Sequence, residues 1–414
     1  MNTNILDLTC DILKLICEHL KVFDDKKNFA RAHPKLWDAF VEHSRKEVQS
    51  EINFESDNDH EYAENWDFFL EWWGSNLTTI DNRGECVDSS ELIEIAAKFC
   101  PNLEHIVFEV NNNNIKKLEE SLPKLKMLEY IEMQYFGEHT DNNLIKSLQS
   151  LTKLQSLNLK WWSLNENERN QLNELTQLEE LKIECLDTDK VLLDISKILG
   201  HLRVLRVGRT QTKTLNYLAK HCTKLEKLII SDLISTNNIF IFPYFPKLTH
   251  LDIYICREAH LHRFISHLGN RYSNQIQTLG IRDLTLSENE MTHISKLLAL
   301  KQLYAKKVLP SAFDILLRMP LEKIWITSLT QMDIFGLMIK CPSLKELTFN
   351  CEDINKDFIP MVLFILKKKD FQPDRPFKIT MANRVEINDR LRNQMASRPH
   401  SNLLDLTLYG FLGF

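Results

Sequence analysis

The residue types that most often carry chemistry are present in this chain, but they do not form a recognisable reactive set. Nine cysteines occur, never at C-x-x-C spacing. His260, His262 and His267 lie close together, yet no cysteine or carboxylate pair joins them at the spacing of a metal site. Walker, G-x-G-x-x-G, H-E-x-x-H and G-x-S-x-G motifs are absent. We therefore predict no catalytic residue, no metal and no cofactor, and a protein that binds rather than an enzyme.

Aromatic and basic side chains are the better candidates, because they most often dominate protein interfaces. They recur at equivalent positions of a repeated motif, and the candidate binding residues are Trp161, Arg206, Arg209, Tyr254, Arg282, Tyr304, Lys306, Lys323 and Trp325. Tyr304 and Trp325, with Lys323, Lys306 and Arg282 nearby, form the strongest patch. Arginine binds carboxylates and phosphates through two hydrogen bonds. The set therefore favours an acidic or phosphorylated protein segment, with a solvated face of incidental charges as the alternative.

The motif that fixes these positions is L-x-x-L-x-L, in which Ile, Val, Phe or Met also occur. Copies begin at Leu103, Leu128, Leu154, Leu178, Leu202, Leu225, Leu248, Ile276, Leu300, Leu321, Leu344 and Leu403, with a degenerate copy at Leu77. The mean period is about 24 residues, within the range of leucine-rich repeats. An amphipathic helical bundle would not repeat this motif at a nearly fixed period.

Each copy predicts a short strand followed by a helical return. Stacked copies give an α/β solenoid over residues 77–414, with a curved parallel sheet inside, helices outside, about 12–13 repeats and a C-terminal cap. The third and fifth motif positions then point away from the core on the concave face. Arg206, Tyr304, Lys323 and Trp325 occupy such positions, and the other candidate binding residues come just beyond the strands. At the C-terminal end the pattern predicts a helix over 358–369, a strand over 377–381 and a closing strand and tail over 403–414.

Three cysteines have a fixed place in the repeat. Cys100, Cys222 and Cys341 each lie three residues before the first leucine of a predicted strand. A small apolar side chain there is expected to close the end of a helix. This arrangement also resembles the cysteine-containing leucine-rich repeats of F-box proteins.

Residues 1–46 do not follow the repeat. Leu8, Ile12, Leu13, Ile16 and Leu20 share one helical face, and His33-Pro34 begins another helix. The segment LTCDILKLICEHLKVFDDKKNFARAHPKLW resembles an F-box, with matching residues Leu8, Asp11, Ile12, Leu13, Ile16, Leu20, Asp24 and Trp37. It departs from the family pattern at Thr9, Cys17 and His19, where that pattern has proline, phenylalanine and tyrosine.

The order of these two parts resembles the F-box/leucine-rich-repeat family, whose members are substrate receptors of SCF ubiquitin ligases. The resemblance implies a three-helix F-box over residues 1–46 that binds the Skp adaptor, and through it a cullin. Its contact residues would be Leu8, Thr9, Ile12, Leu13 and Ile16. The repeats would capture a target protein, and other subunits would transfer ubiquitin. Two alternatives are a repeat scaffold without a ligase role and a GTPase-activating repeat protein.

Charge and composition add the remaining expectations. The net charge is -6, but residues 47–94 carry fourteen acidic side chains and one basic side chain, Arg83. We expect residues 47–76 to form an acidic helical linker under which Trp66, Trp72 and Trp73 pack. The sequence lacks the strong cluster of basic residues that would predict nucleic-acid binding. No apolar stretch approaches the ~20 residues of a membrane span. Scattered cysteines without a disulfide pattern favour the cytoplasm or nucleus.

Overall fold

The computed structural model of the chain describes residues 4–44, 50–54, 60–83, 87–137, 142–185, 187–234, 241–255, 261–350, 354–383, 385–396 and 401–410. These residues form two compact units, Met1–Cys185 and Leu186–Phe414. His260 and the predicted tail residues Phe411 and Phe414 lie outside the described residues.

The first unit begins with helices and continues with strands and helices in alternation. Its described helices are α1 Cys10–His19, α2 Phe23–Ala32, α3 Pro34–His43, α4 His60–Trp73, α5 Ser89–Phe99, α6 Ile115–Ser121, α7 Leu144–Ser147 and α8 Glu166–Leu172. Its described strands are β1 Glu51–Asn53, β2 Thr79–Asp81, β3 His105–Val110, β4 Tyr130–Tyr135, β5 Ser156–Lys160 and β6 Glu180–Glu184. Consecutive strands pair in parallel from β1 to β6.

The second unit has the same alternation. Its described helices are α9 Thr188–Asp194, α10 Ser196–Leu199, α11 Thr212–His221, α12 Leu261–Arg271, α13 Glu288–Ile294, α14 Pro310–Leu316, α15 Gln331–Lys340, α16 Phe358–Lys368 and α17 Val385–Ala396. Its described strands are β7 Val204–Gln211, β8 Lys227–Ile234, β9 His250–Ile255, β10 Thr278–Leu286, β11 Gln302–Val308, β12 Lys323–Ser328, β13 Glu346–Asn350, β14 Phe377–Asn383 and β15 Leu404–Gly410. Every neighbouring pair is parallel.

The repeated leucines build the core between sheet and helices. Leu251, Leu279, Leu303, Ile324 and Leu347 occupy equivalent positions on five adjacent strands and are at most 1% exposed. Burying each such side chain contributes roughly 1.5–3 kcal/mol. A single repeat cannot cover its own leucines, so the stacking of repeats makes the core. The predicted parallel α/β repeat architecture is confirmed.

Helices α1, α2 and α3 form a small packed group of their own. Leu13, Leu36 and Ala39 are buried together at its centre, and Leu8 and Ile16 pack against them while remaining partly exposed. Pro34 occupies the first turn of α3, where its missing N–H leaves no hydrogen bond unmade.

The predicted linker contributes both a helix and a strand. Trp72 and Trp73 of α4 are buried, and the Trp72 ring lies 4.6 Å from that of Phe40 in α3, as expected for tryptophans that join the two parts. Arg31 on α2 also forms an ion pair with Asp67 on α4 at 2.7 Å. Strand β1 lies within the predicted linker and pairs with β2, so the sheet begins before residue 77. The repeat pattern gave no sign of this strand.

The ends of several helices agree with the sequence predictions. Asp88 accepts hydrogen bonds from the backbone N–H groups of Ser90 and Glu91 at the start of α5. Cys100, Cys222 and Cys341 are buried and directly follow α5, α11 and α15. Burial raises the pKa of the Cys100 and Cys222 thiols to about 12. These thiols are therefore packing groups, since the thiolate is the reactive form of cysteine.

The C-terminal elements follow the prediction in part. Helix α16 and strands β14 and β15 lie where the sequence indicated. The sequence prediction did not include helix α17, although Ile387, Leu391 and Met395 recur there at four-residue steps. The described residues include no helix whose length and apolar character would let it span a membrane.

Candidate binding site

Four neighbouring strands of the second unit place the strongest predicted patch on one surface. Asp252, Gly280, Tyr304 and Trp325 are directly opposite one another on β9, β10, β11 and β12. On β11, Leu303 and Ala305 are buried in the core, whereas Tyr304 and Lys306 lie on the other side of the strand. We call that side the open face of the sheet. Period-2 alternation and parallel register therefore bring together residues more than twenty positions apart.

Arg282 is the centre of this group. Its Nε and Nη2 atoms lie 3.0 and 2.9 Å from Oδ2 of Asp252. The guanidinium carbon lies 4.7 Å from the ring centre of Trp325, 5.6 Å from that of Tyr304 and 5.9 Å from that of Tyr254. Burial alone would lower the pKa of Arg282, but the Asp252 carboxylate outweighs it and raises that pKa. Arg282 is a permanently charged, neutralised cation surrounded by aromatic rings.

Gly280 provides the space that this ion pair needs. A Cβ atom on residue 280 would lie 2.3 Å from Oδ1 of Asp252. The Asp252 carboxylate, on β9, lies in the space that a side chain at residue 280 of β10 would fill. From there it reaches Arg282, which is two residues further along β10. The sequence prediction included neither Asp252 nor Gly280 among the binding residues. The signal that could have found them is their cross-strand alignment with Tyr304 and Trp325.

These side chains line a pocket of about 220 Å³. The lining residues are Tyr254, Arg282, Tyr304, Ala305, Lys306, Trp325 and Thr327. The ring centres of Tyr304 and Trp325 are 5.6 Å apart, and the ring planes are inclined at 67°. Thr327 donates its hydroxyl hydrogen to the backbone carbonyl of Lys306 at 2.7 Å. This hydrogen bond joins β12 to β11 just beyond their last paired residues, Ala305 and Ile326. Five of the nine predicted binding residues thus meet in one pocket.

The other predicted residues lie outside this pocket. Lys323 is on the same strand as Trp325 and forms an ion pair with Glu346 at 2.7 Å. Arg209 on β7 is paired with Asp232 on β8 at 2.8 Å. Arg206 is partly buried on the same strand as Arg209.

Trp161 belongs to the first unit, where it follows β5. It is 59% exposed, and its ring lies 5.1 Å from that of Phe136, which follows β4 and is 47% exposed. Its φ of 55° is unusual for a bulky residue, while the next residue, Trp162, is fully buried and stacks on Tyr135. The sequence prediction did not include Phe136, which directly follows the strand of the preceding repeat.

Basic side chains of the open face are mostly neutralised by acids on an adjacent strand. The pairs are Arg282–Asp252, Arg209–Asp232, Lys323–Glu346 and, in the first unit, Lys160–Glu132. A phosphate dianion would have to displace a carboxylate from each of these cations. Lys306 is exposed and has no ion pair among the described residues. Around this pocket, the described side chains therefore offer aromatic contact and the Lys306 ammonium group rather than a cluster of free arginines.

The predicted adaptor-binding residues differ in exposure. Ile12 is 44% exposed on α1, and Thr9, the residue before α1, is also exposed. Leu8 and Ile16 are half-buried, and Leu13 is fully buried. Leu13 therefore supports the surface from inside, because its side chain fills the centre of the helical group. Leu15, at 54% exposed, and Val22, at 57%, add apolar surface that the sequence prediction did not include.

Within the described part of the chain, no group of three or more His, Cys, Asp or Glu side chains is arranged to hold a metal ion. His262 instead lies 3.4 Å from Glu290, which caps α13. The repeat units have L-x-x-L-x-L strands in parallel register and a helix between most of them, which is the arrangement typical of leucine-rich repeats.

Comparison with known proteins adds little to this description. No protein-family model matches the chain, and no curated protein matches it. Similar solved structures include an internalin from Listeria monocytogenes, with 12% identity over 85% of this chain and 92% of that chain and a TM-score of 0.34. A leucine-rich-repeat protein from Leptospira interrogans has 12% identity over 87% of this chain and 100% of that chain, with a TM-score of 0.27. Because both TM-scores are below 0.5, the repeat assignment rests on the chain's own strands and register.

Proposed function

We propose that this protein is a non-enzymatic substrate receptor of an SCF-type ubiquitin ligase in the cytoplasm or nucleus. Its open face would bind a target protein, and helices α1–α3 would dock on a Skp adaptor that a cullin holds. Other subunits would transfer ubiquitin. The observation that carries the proposal is apolar surface on a helical group whose own core is already filled.

The exposed side chains of α1 support a docking role. Leu13 and Cys17 are fully buried, whereas Ile12 and Leu15 point away from that core. Fully burying a side chain of this size contributes roughly 1.5–3 kcal/mol, which is lost while the side chain faces water. A partner that covers Ile12 and Leu15 would recover that free energy without unfolding the helical group.

The test is co-purification of the full chain with a Skp adaptor, beside the variant Ile12→Asp. Ile12 is preferable to Leu8 because Leu8 packs on the core and its loss would disturb folding. A suitable control is Lys21→Asp, which places the same charge at an exposed polar position just after α1. We expect a stoichiometric complex for the intact chain and Lys21→Asp, and at least about a tenfold loss for Ile12→Asp.

Circular dichroism and the thermal midpoint must be unchanged in Ile12→Asp for the loss to be assigned to the interface. If the intact chain forms no complex, the ligase role is wrong. The protein would then be a repeat scaffold without that role, and binding by the open face would be tested separately. Equal binding by Ile12→Asp and the intact chain would refute α1 as the contact surface.

A further inference from the structure

The pocket on the open face of the second unit has enough described contacts to define the chemistry of its ligand. It is lined by Tyr254, Arg282, Tyr304 and Trp325, with Lys306 two residues further along β11 than Tyr304. We infer that it binds a protein segment in which an aromatic side chain lies next to a carboxylate, and that phosphate is not required. This inference rests on the proposed protein-binding role and names the kind of segment that is bound.

Pocket size favours a single side chain. A volume of about 220 Å³ is smaller than the ~300–1,000 Å³ of pockets that enclose whole small-molecule ligands. Phe, Tyr and Trp side chains bring a large contact area to a small space. An anchor residue of a protein segment therefore suits this pocket better than a free cofactor.

The rings of the pocket favour an aromatic anchor. Tyr304 and Trp325 already meet edge-to-face, with their ring planes inclined at 67°, and Trp325 also lies against the Arg282 guanidinium. An incoming ring can pack edge-to-face on these rings. Arg282 does not need an anion from the ligand, because Asp252 already neutralises it through two of its nitrogens.

The charge of the pocket indicates which kind of residue lies next to the aromatic anchor in the bound segment. Lys306 lines the pocket, is exposed and has no ion pair among the described residues. Lys323, the other nearby lysine, is held by Glu346 at 2.7 Å. One available ammonium group suits one carboxylate. A phosphate dianion is best bound by several free or bidentate cations, which this pocket does not present. A ligand cation is disfavoured, since the Lys306 ammonium group would repel it.

The experiment uses the full chain and a phage-displayed library of random dodecapeptides, which is the probe in place of the unknown target. Selected peptides are sequenced, synthesised and titrated by fluorescence anisotropy. We expect enrichment of peptides with an aromatic residue next to Asp or Glu. Binding should fall at least about tenfold with Trp325→Ala, or when the aromatic residue of the peptide is changed to alanine.

A charge exchange tests the role of Lys306. Lys306→Glu should weaken a selected peptide roughly three- to tenfold at low salt, and changing the peptide's acidic residue to lysine should restore binding to that variant. Lys307→Glu is the matched control, because Lys307 is an exposed neighbour that does not line the pocket. Phe364→Ala is the control for loss of an exposed aromatic ring elsewhere, because Phe364 is 53% exposed on α16 and does not line the pocket.

Four results would overturn the inference. These are no enriched peptide, enrichment without an aromatic residue, equal binding by Trp325→Ala and the intact chain, and tighter binding only after the acidic residue is replaced by phosphoserine. The adaptor experiment reports separately on the proposed ligase role. Peptide binding without an adaptor complex would support the inferred ligand of the pocket and refute the ligase role. An adaptor complex without selection of such peptides would support the ligase role and refute the inferred ligand.

Discussion

Glu132 shows how a single residue of the open face depends on its neighbours. Its carboxylate accepts hydrogen bonds from Tyr130 at 2.8 Å and Asn158 at 2.7 Å, and it lies 2.6 Å from the Lys160 ammonium. Burial alone would raise the pKa of Glu132, but the hydrogen bonds and charge of Lys160, with the Tyr130 bond, lower it to about 2. The residue is a charged structural support, and its oxygens are already occupied.

The lowered pKa predicts how stability changes with pH. A carboxyl whose pKa is lower in the folded state stabilises the fold above its unfolded pKa of about 4.5, and the contribution disappears as pH falls toward 2. At pH 7 we expect Glu132→Gln to lower the free energy of unfolding by up to about 3 kcal/mol, and the difference to shrink below pH 4.5. Urea denaturation between pH 2 and 7 measures this. Glu120→Gln, at an exposed position, is the control, and parallel pH profiles for the intact chain and Glu132→Gln would contradict the prediction.

Trp161 combines exposure with a left-handed backbone. Its φ of 55° suits glycine, whereas a Cβ atom there is unfavourable by about 1–2 kcal/mol. We expect Trp161→Gly to be more stable than Trp161→Ala by about 1 kcal/mol, the reverse of the usual order within secondary structure. Comparing these two variants cancels the loss of the indole ring. The urea midpoints of both variants measure the difference. If the alanine variant were at least as stable as the glycine variant, the backbone at residue 161 would not be strained by a Cβ atom.

At the scale of elements, Gly74 shows how closely helices α4 and α5 approach each other. A Cβ atom on Gly74 would lie 2.2 Å from the carbonyl oxygen of Leu70 and 2.4 Å from that of Phe99 at the end of α5. Backbone atoms cannot move aside as a flexible side chain can. The spacing of these two helices therefore depends on glycine at this position.

We expect Gly74→Ala to lower the free energy of unfolding by roughly 1–3 kcal/mol, because the two helices must separate. Gly200→Ala is the matched control, since the nearest atom to its added Cβ would be 3.8 Å away. That variant should stay within about 0.5 kcal/mol of the intact chain. Chemical denaturation measures both free energies of unfolding. Equal effects of the two substitutions would show that the spacing of α4 and α5 does not depend on glycine at residue 74.

At the scale of the whole molecule, the two proposed functions belong to different compact units. Helices α1–α3 lie in Met1–Cys185, and the aromatic pocket lies in Leu186–Phe414. In repeat proteins each repeat contacts mainly its neighbours, so distant substitutions act independently. We expect Ile12→Asp to leave the affinity for a selected peptide within about twofold, and Trp325→Ala to leave adaptor binding equally unchanged. The double variant should lose both activities, each by the same factor as in the single variant. If either single substitution strongly changed the activity of the other unit, the two sites would be coupled.

Much of the fold was predictable from the sequence because its determinants are local and repeated. The L-x-x-L-x-L period locates the strands from β2 to β13, and alternation along a strand separates buried Leu303 from the open-face residue Tyr304. The cysteines that precede three strands are buried at helix ends as predicted. Strand β1 and helix α17 were missed, because neither contains the repeat motif on which the prediction depended.

The sequence by itself determined which residues share a face, since that follows from spacing along the chain. Only the tertiary structure decided which of them touch. Asp252 pairs with Arg282, thirty residues away, and Gly280 supplies the space between them. The resemblance to an F-box marked Leu13 and Ile12 together as interface residues, but packing places Leu13 in the core and leaves Ile12 exposed. Such contacts depend on the register of adjacent strands and the packing of adjacent helices, which no single segment of the sequence specifies.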